Sequence, residues 1–161
     1  MELELKSANT MNKNSILTNL SESDKARFGK QAFATQSTPQ QVFSSIWALE
    51  SEVNNGGFSQ YFLNESCETA TFVAEALDTI GAPRTADICR RAIAAAFPTG
   101  VPSTPDAVSA AAAGFSGEVL ENLGTLDNEF LEYPNNLTDW LFAYVAKHPE
   151  EFGKLPKADE A

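Results

Sequence analysis

The hydrophobic residues recur at intervals of three and four along most of the chain, the spacing that places them on one face of an α-helix. Such stripes run through residues 42–53, 72–80, 88–96 and 137–145. No run of alternating β-branched residues accompanies them. The pattern therefore predicts an all-α protein, a single compact bundle of about six to eight short helices.

Capping and breaking residues predict where several helices begin and end. Ser21 and Asp24 resemble a capping box, so a first helix is expected over about 22–35. Thr38 followed by Pro39 is typical of an N-cap and first helical position. The helix that follows should stop at the run Asn54-Asn55-Gly56-Gly57. The remaining elements are expected as a short helix or turn over 58–63 and helices over 66–80, 84–96, from 105 onward, 118–132 and 137–148.

These elements predict one domain with short ends. Residues 1–20 are expected to be a variable or flexible N-terminal segment, 21–155 a helical domain and 156–161 a flexible tail. Met11 is an alternative start to Met1, since the first residues carry no periodic pattern.

The charge is strongly negative and unevenly distributed. The chain of 161 residues has 22 acids against 11 Lys and Arg, a net charge of -11. Residues 31–83 and 92–146 contain acids but no Lys or Arg. Such a chain is repelled by phosphate backbones and anionic lipid, so direct nucleic-acid or membrane binding is not expected. The expected counterparts are basic: Lys- or Arg-rich proteins, polyamines or metal ions.

Other classes of function find little support in the composition. One His and two Cys leave no multi-histidine metal site and no disulfide framework, so neither a metal nor a cofactor is expected. The N-terminus lacks the basic and apolar regions of a signal peptide, and no apolar run is long enough to span a bilayer. We therefore expect a cytoplasmic protein with no catalytic residues, not an enzyme.

The predicted helix over 118–132 separates its charges from its apolar residues. The apolar arc consists of Val119, Leu120, Leu123, Leu126, Phe130 and Leu131. Four acids share the opposite side with no Lys to offset their repulsion, and two further acid pairs have the same i,i+3 spacing. We predict that these acids bind the partner: Glu118, Glu121, Glu129 and Glu132, then Glu65, Glu68, Glu75 and Asp78.

Two other acids, Glu50 and Asp127, fall inside apolar arcs. A buried carboxylate must be hydrogen-bonded or paired. The favoured interpretation is a polar clasp around the glycine turn, formed by Glu50, Asn54, Asn55, Gly56, Gly57, Gln60, Tyr61 and Asp127. The alternative is a carboxylate pair for metal binding or acid–base chemistry, but no histidine ligand or nucleophile–base pair accompanies it.

The stretch from Ala48 to Asn64, ALESEVNNGGFSQYFLN, resembles the signature of a family of small acidic bacterial proteins long catalogued as a domain of unknown function. The segments 74–82, 126–130 and 144–152 fit the same family, and the resemblance covers about residues 39–152. It implies an all-helical fold. Its characterised member is a dimeric DNA mimic, whose surface carboxylates imitate phosphates and occupy the DNA-binding face of a helix-turn-helix transcription factor.

Three hypotheses follow, in order of preference. The first is a non-enzymatic protein, expected as a homodimer, that blocks the basic surface of a transcription factor or nucleoid-type protein. The second is an immunity-type or antitoxin-type inhibitor of a basic toxin. The third is an enzyme or metal-binding protein centred on Glu50, Gln60, Tyr61 and Asp127.

Overall fold

The computed structural model describes residues 11–22 and 30–158 and confirms the all-α class. The described residues form eight α-helices and two short 3-10 helices. The α-helices are α1 Lys13–Glu22, α2 Thr38–Leu63, α3 Val73–Ile80, α4 Pro83–Ala96, α5 Pro105–Ala113, α6 Gly117–Leu131, α7 Leu137–Ala146 and α8 Pro149–Phe152. The 3-10 helices are Phe33–Thr35 and Glu65–Thr69. None of the described helices is long and apolar enough to cross a membrane.

The first helix lies earlier than the capping signal predicted. Helix α1 ends at Glu22, whereas the prediction placed a helix over 22–35. Residues 31–36 contain only the 3-10 helix Phe33–Thr35, and residues 23–29 of the predicted helix, Asp24 among them, lie outside the described residues. Ile16 and Leu17 of α1 are buried, so this helix packs against the bundle although most of it lies within the predicted N-terminal segment 1–20.

Helix α2 is the central element, and it does not stop where the prediction ended it. It begins after Ser37, which forms a capping box with Gln40, one residue before the predicted N-cap at Thr38. It then runs to Leu63 through a kink at Gly57, where φ is 84° and ψ is -177°. The helix is therefore interrupted at the predicted glycines but resumes at once.

The core forms around α2, which packs against α3, α5, α6 and the 3-10 helix Glu65–Thr69. Its second half carries Phe58 and Phe62, both almost fully buried. Phe58 meets the ring of Phe130 edge-on, and Phe62 does the same with Phe97. Burying large aromatic side chains supplies much of the stability of a domain of this size. Both halves of α2, before and after the kink at Gly57, therefore contribute buried side chains to the core.

Helix α6 exposes two residues of its predicted apolar arc. Leu123, Leu126 and Phe130 are buried, but Leu120 is 47% exposed and Leu131 is 44% exposed. The two leucines lie at the edge of the arc, eleven positions apart, and so project in nearly the same direction. The helix thus buries a narrower face than its sequence pattern predicts.

Candidate functional site

The kink in α2 is held by Asp127 of α6. Its Oδ1 accepts a hydrogen bond of 2.7 Å from the backbone N–H of Phe58, which an uninterrupted helix would direct to the carbonyl of Asn54. Burial raises the pKa of the Asp127 carboxyl, and this hydrogen bond partly offsets the rise. A Cβ atom at Gly57 would lie 2.3 Å from Asp127 Oδ2. The carboxylate therefore occupies the space that the glycine leaves open.

Glu50 is stabilised separately, by a residue that the sequence analysis did not select. The hydroxyl of Tyr133 donates to Glu50 Oε1 at 3.1 Å and accepts from Asn54 Nδ2 at 2.7 Å. Tyr133 follows the end of α6 and has a positive φ of 51°, a conformation that is uncommon for a bulky residue. Nothing in the local pattern around Tyr133 marks it as the partner of a residue so distant in the chain.

Two other members of the predicted clasp, Gln60 and Tyr61, form their side-chain hydrogen bonds with residues outside it. Gln60 donates to Glu52 Oε2 at 2.7 Å, and the buried Tyr61 is hydrogen-bonded to Thr69. Asn54, Asn55, Gly56, Gly57 and Asp127 do line one groove of about 680 Å³ between α2 and α6, but Glu50, Gln60 and Tyr61 do not. The structure therefore does not gather the four residues on which the enzyme or metal-site hypothesis was centred. Among the described residues, no three His, Cys, Asp or Glu side chains are grouped so that they could hold a metal ion.

We expect Tyr133→Phe to lower the free energy of unfolding by about 1–2 kcal/mol. The substitution removes a hydroxyl that satisfies both Asn54 and the half-buried Glu50. Urea denaturation followed by circular dichroism measures the change. Tyr144→Phe is the matched control, since no hydrogen bond of the Tyr144 hydroxyl is present among the described residues. Equal loss in both variants would contradict the assignment.

The stability of the protein should depend on pH through Glu50. Burial raises the pKa of its carboxyl above the unfolded value of about 4.3, and the Tyr133 hydrogen bond only partly counters this. The folded state therefore holds this proton more tightly than the unfolded chain. Ionisation of Glu50 then costs stability as the pH rises from the unfolded pKa to the higher folded pKa. Glu50→Gln keeps an acceptor for Tyr133 and removes the charge. We expect the stability of this variant relative to wild type to be highest at pH 7 and to decrease as the pH falls toward about 4. A difference that stays constant with pH would contradict the assignment.

The eight acids predicted to bind a partner are distributed over several parts of the surface. Seven of them are exposed, and Glu129 is half-buried, with 40% of its side chain accessible. Glu129 and Glu132 line one groove, Glu121 lines the groove at the kink, and Glu65 and Glu68 line a third. Glu118, Glu75 and Asp78 line none of these grooves.

Arginines of α4 neutralise two of the eight acids. Arg91 forms two parallel hydrogen bonds to Glu129, at 2.8 and 2.9 Å, and also pairs with Asp87. The hydrogen bonds from Arg91 lower the pKa of the Glu129 carboxyl. Arg90 pairs with Asp78 of α3. These contacts connect α4 to its neighbours and reduce the negative field on that side. The other six acids form no ion pair with a described residue.

A continuous acidic groove lies on the side of the molecule around the 3-10 helix Glu65–Thr69. It consists of two adjoining cavities of about 730 and 240 Å³, which share Leu63, Asn64, Glu65 and Glu68. Glu52 of α2 lines the larger cavity and Asp106 of α5 lines the smaller. We call this surface the acidic groove and Glu52, Glu65, Glu68 and Asp106 its four carboxylates. No described residue that lines it is basic.

The negative field of the groove affects a neighbouring thiol. Cys67 lies between Glu65 and Glu68 in sequence, and its Sγ donates to the carbonyl of Pro105 at 3.4 Å. Burial raises the pKa of the Cys67 thiol, and the charges of Glu68 and Asp106 raise it further. The thiol therefore stays protonated near neutral pH, which argues against a nucleophilic role. What the groove offers is a set of anionic oxygens that would attract a cation.

Sequence reasoning selected Glu65 and Glu68 but missed Glu52 and Asp106. Glu52 lies before the kink in α2, and its Oε2 accepts from the amides of Gln60 and Asn64 after the kink. Asp106 is in the first turn of α5, where an acid is common for local reasons. Their charge alone could have made both residues candidates. Only the packing of α5 against the 3-10 helix Glu65–Thr69 brings them to the same groove.

Comparison with known proteins extends the earlier resemblance. No curated protein and no solved structure matches the chain. Residues 34–148, most of the chain, match the family described as DMP19-like protein, and this range contains the kink and the four carboxylates of the acidic groove. The chain therefore belongs to the DMP19-like protein family.

Proposed function

We propose that this protein is a DNA-mimic-like interaction protein that occupies the basic DNA-binding surface of a partner, such as a helix-turn-helix transcription factor. Membership of the DMP19-like family supports the proposal at the level of the family. The observation that carries it for this chain is the acidic groove, where four carboxylates line two adjoining cavities and none of the described lining residues is basic.

The physical basis is competition for cations. A DNA-binding protein gains affinity when its Lys and Arg side chains replace the cations condensed around the phosphates, and closely spaced carboxylates on a folded surface can offer those side chains a similar array of negative charge. The groove keeps its acids on rigid elements, since Glu52 is fixed by two amide hydrogen bonds and Asp106 is in the first turn of α5. A preorganised array loses less entropy on binding than a flexible acidic tail would.

The proposal includes a homodimer in the cytoplasm, acting on a protein partner and on neither nucleic acid nor membrane directly. Dimerisation would double the number of carboxylates presented to the partner. The outer face of α6 is a candidate contact, because Leu120 and Leu131 are exposed on it. We propose no catalytic activity and no cofactor.

Affinity capture from a lysate at low salt, with elution at high salt and mass spectrometry, identifies candidate partners. The affinity of the purified pair is then measured at several salt concentrations. We expect a protein with a cationic DNA-binding surface, and an association constant that falls steeply as salt increases. A partner with no such surface, or an affinity independent of salt, would contradict the proposal.

A further inference from the structure

The acidic groove has an apolar floor as well as an acidic rim. Leu63, the last residue of α2, lines both of its cavities and is 43% exposed. Phe33 and Ala48 line the larger cavity and are half-buried. The ring of Phe33 rests edge-on against Phe72 at a centroid distance of 6.0 Å. A site that only imitated a phosphate strand would not need apolar surface at this position.

The rim and the floor are both fixed in position. Ser109 of α5 donates to the backbone carbonyl of Leu63 at 2.6 Å and so anchors the end of α2. The amides of Gln60 and Asn64 orient Glu52 at the edge of the floor. The larger cavity, about 730 Å³, is within the range of sites that accommodate small ligands or several side chains.

We infer that the acidic groove binds arginine side chains of the basic partner and prefers them to lysine. This inference rests on the proposed function and specifies the chemistry of the partner at this surface. The aliphatic stem of an arginine would cover Leu63 and Ala48, and its guanidinium would reach the carboxylates at the rim. The planar guanidinium is weakly hydrated, stacks on aromatic rings such as Phe33 and binds a carboxylate through two parallel hydrogen bonds. The ammonium of lysine is compact and strongly hydrated. It has no planar face to stack on a ring and no fork of N–H groups to form two parallel hydrogen bonds.

Two synthetic peptides of equal length and charge test the preference, one alternating glycine with arginine and the other glycine with lysine. Their affinities for the full chain are measured by titration calorimetry at low salt. We expect the arginine peptide to bind about threefold to tenfold more tightly. In NMR spectra of labelled protein, the arginine peptide should shift the amide signals of residues 63–69 most strongly.

Two exposed apolar residues provide a pair of variants. Leu63→Ser should reduce the preference for arginine, whereas Trp140→Ser, which changes an apolar residue of similar exposure on α7, should leave both affinities unchanged. Glu68→Gln should weaken both peptides. Thermal unfolding of each variant verifies that it is folded.

The outcomes separate the inference from the proposed function. Equal affinity for the two peptides would overturn the inference while leaving the proposed function intact, since an array of charges is sufficient for blocking a basic surface. A preference that survives Leu63→Ser, or affinities that Glu68→Gln leaves unchanged, would overturn the assignment to this groove. If neither peptide binds, the inference also fails, and the captured partner and its salt dependence decide the proposed function independently.

Discussion

Replacing Gly57 by alanine should lower the free energy of unfolding by about 2–4 kcal/mol. With φ of 84° and ψ of -177°, Gly57 lies in a region of backbone conformation that is essentially restricted to glycine. The added Cβ would also lie 2.3 Å from Asp127 Oδ2, so the carboxylate that accepts from Phe58 would have to move. Denaturation in urea, with the slope of the transition compared between variants, measures the loss.

Gly124→Ala is the matched control for this substitution. Gly124 lies in the middle of α6, and a Cβ there would meet no atom within 4 Å. Because alanine favours a helix interior over glycine, we expect this variant to gain about 0.5–1 kcal/mol. If Gly57→Ala were as stable as wild type, the kink would not be the fixed element that we describe.

Removing charge from the acidic groove should produce the largest effect on partner binding. The triple variant Glu65→Gln, Glu68→Gln, Asp106→Asn keeps the size and polarity of each side chain. We expect its affinity for the captured partner to fall by about tenfold to a hundredfold at low salt, and its salt dependence to become shallower. Surface plasmon resonance at several salt concentrations measures both quantities.

A second triple variant, Glu118→Gln, Glu121→Gln, Glu132→Gln, removes the same number of charges from α6. It tests the acids that the helical pattern ranked first. Since it changes the net charge equally, it controls for long-range attraction, and we expect a loss of only about twofold to threefold. A larger loss in the α6 variant than in the groove variant would move the interaction surface to α6.

The helical class and most of the later helices could be predicted from sequence because their signals are local. Thr104 caps α5, Gly81 ends α3 in the left-handed conformation, and Pro83 begins α4, each as its residue type indicates. The predicted start of the first helix near residue 22 was wrong, because a plausible capping pair at Ser21 and Asp24 outweighed the weaker apolar pattern of α1. The residue types favoured a helix that starts just after Ser21, but in the structure α1 ends at Glu22.

The details of the site depend on contacts between distant residues, which local patterns do not encode. The sequence indicated correctly that Asp127 needs a partner near the glycines, and Phe58 N–H is that partner. It could not show that the Asn-Asn-Gly-Gly run bends α2 without ending it, because Asp127 stabilises the bend from another helix. Likewise, Glu129 appears unpaired on a helical wheel, and only the packing of α4 on α6 brings Arg91 to it.

Displacement of DNA from the captured partner tests the central claim most directly. A fluorescently labelled duplex is bound to that partner, and the protein is then added while the anisotropy of the label is followed. Our account predicts that wild type releases the duplex in a competitive manner, and that the groove variant requires a much higher concentration to do so. A duplex that stays bound while the protein joins it in a ternary complex would contradict the account.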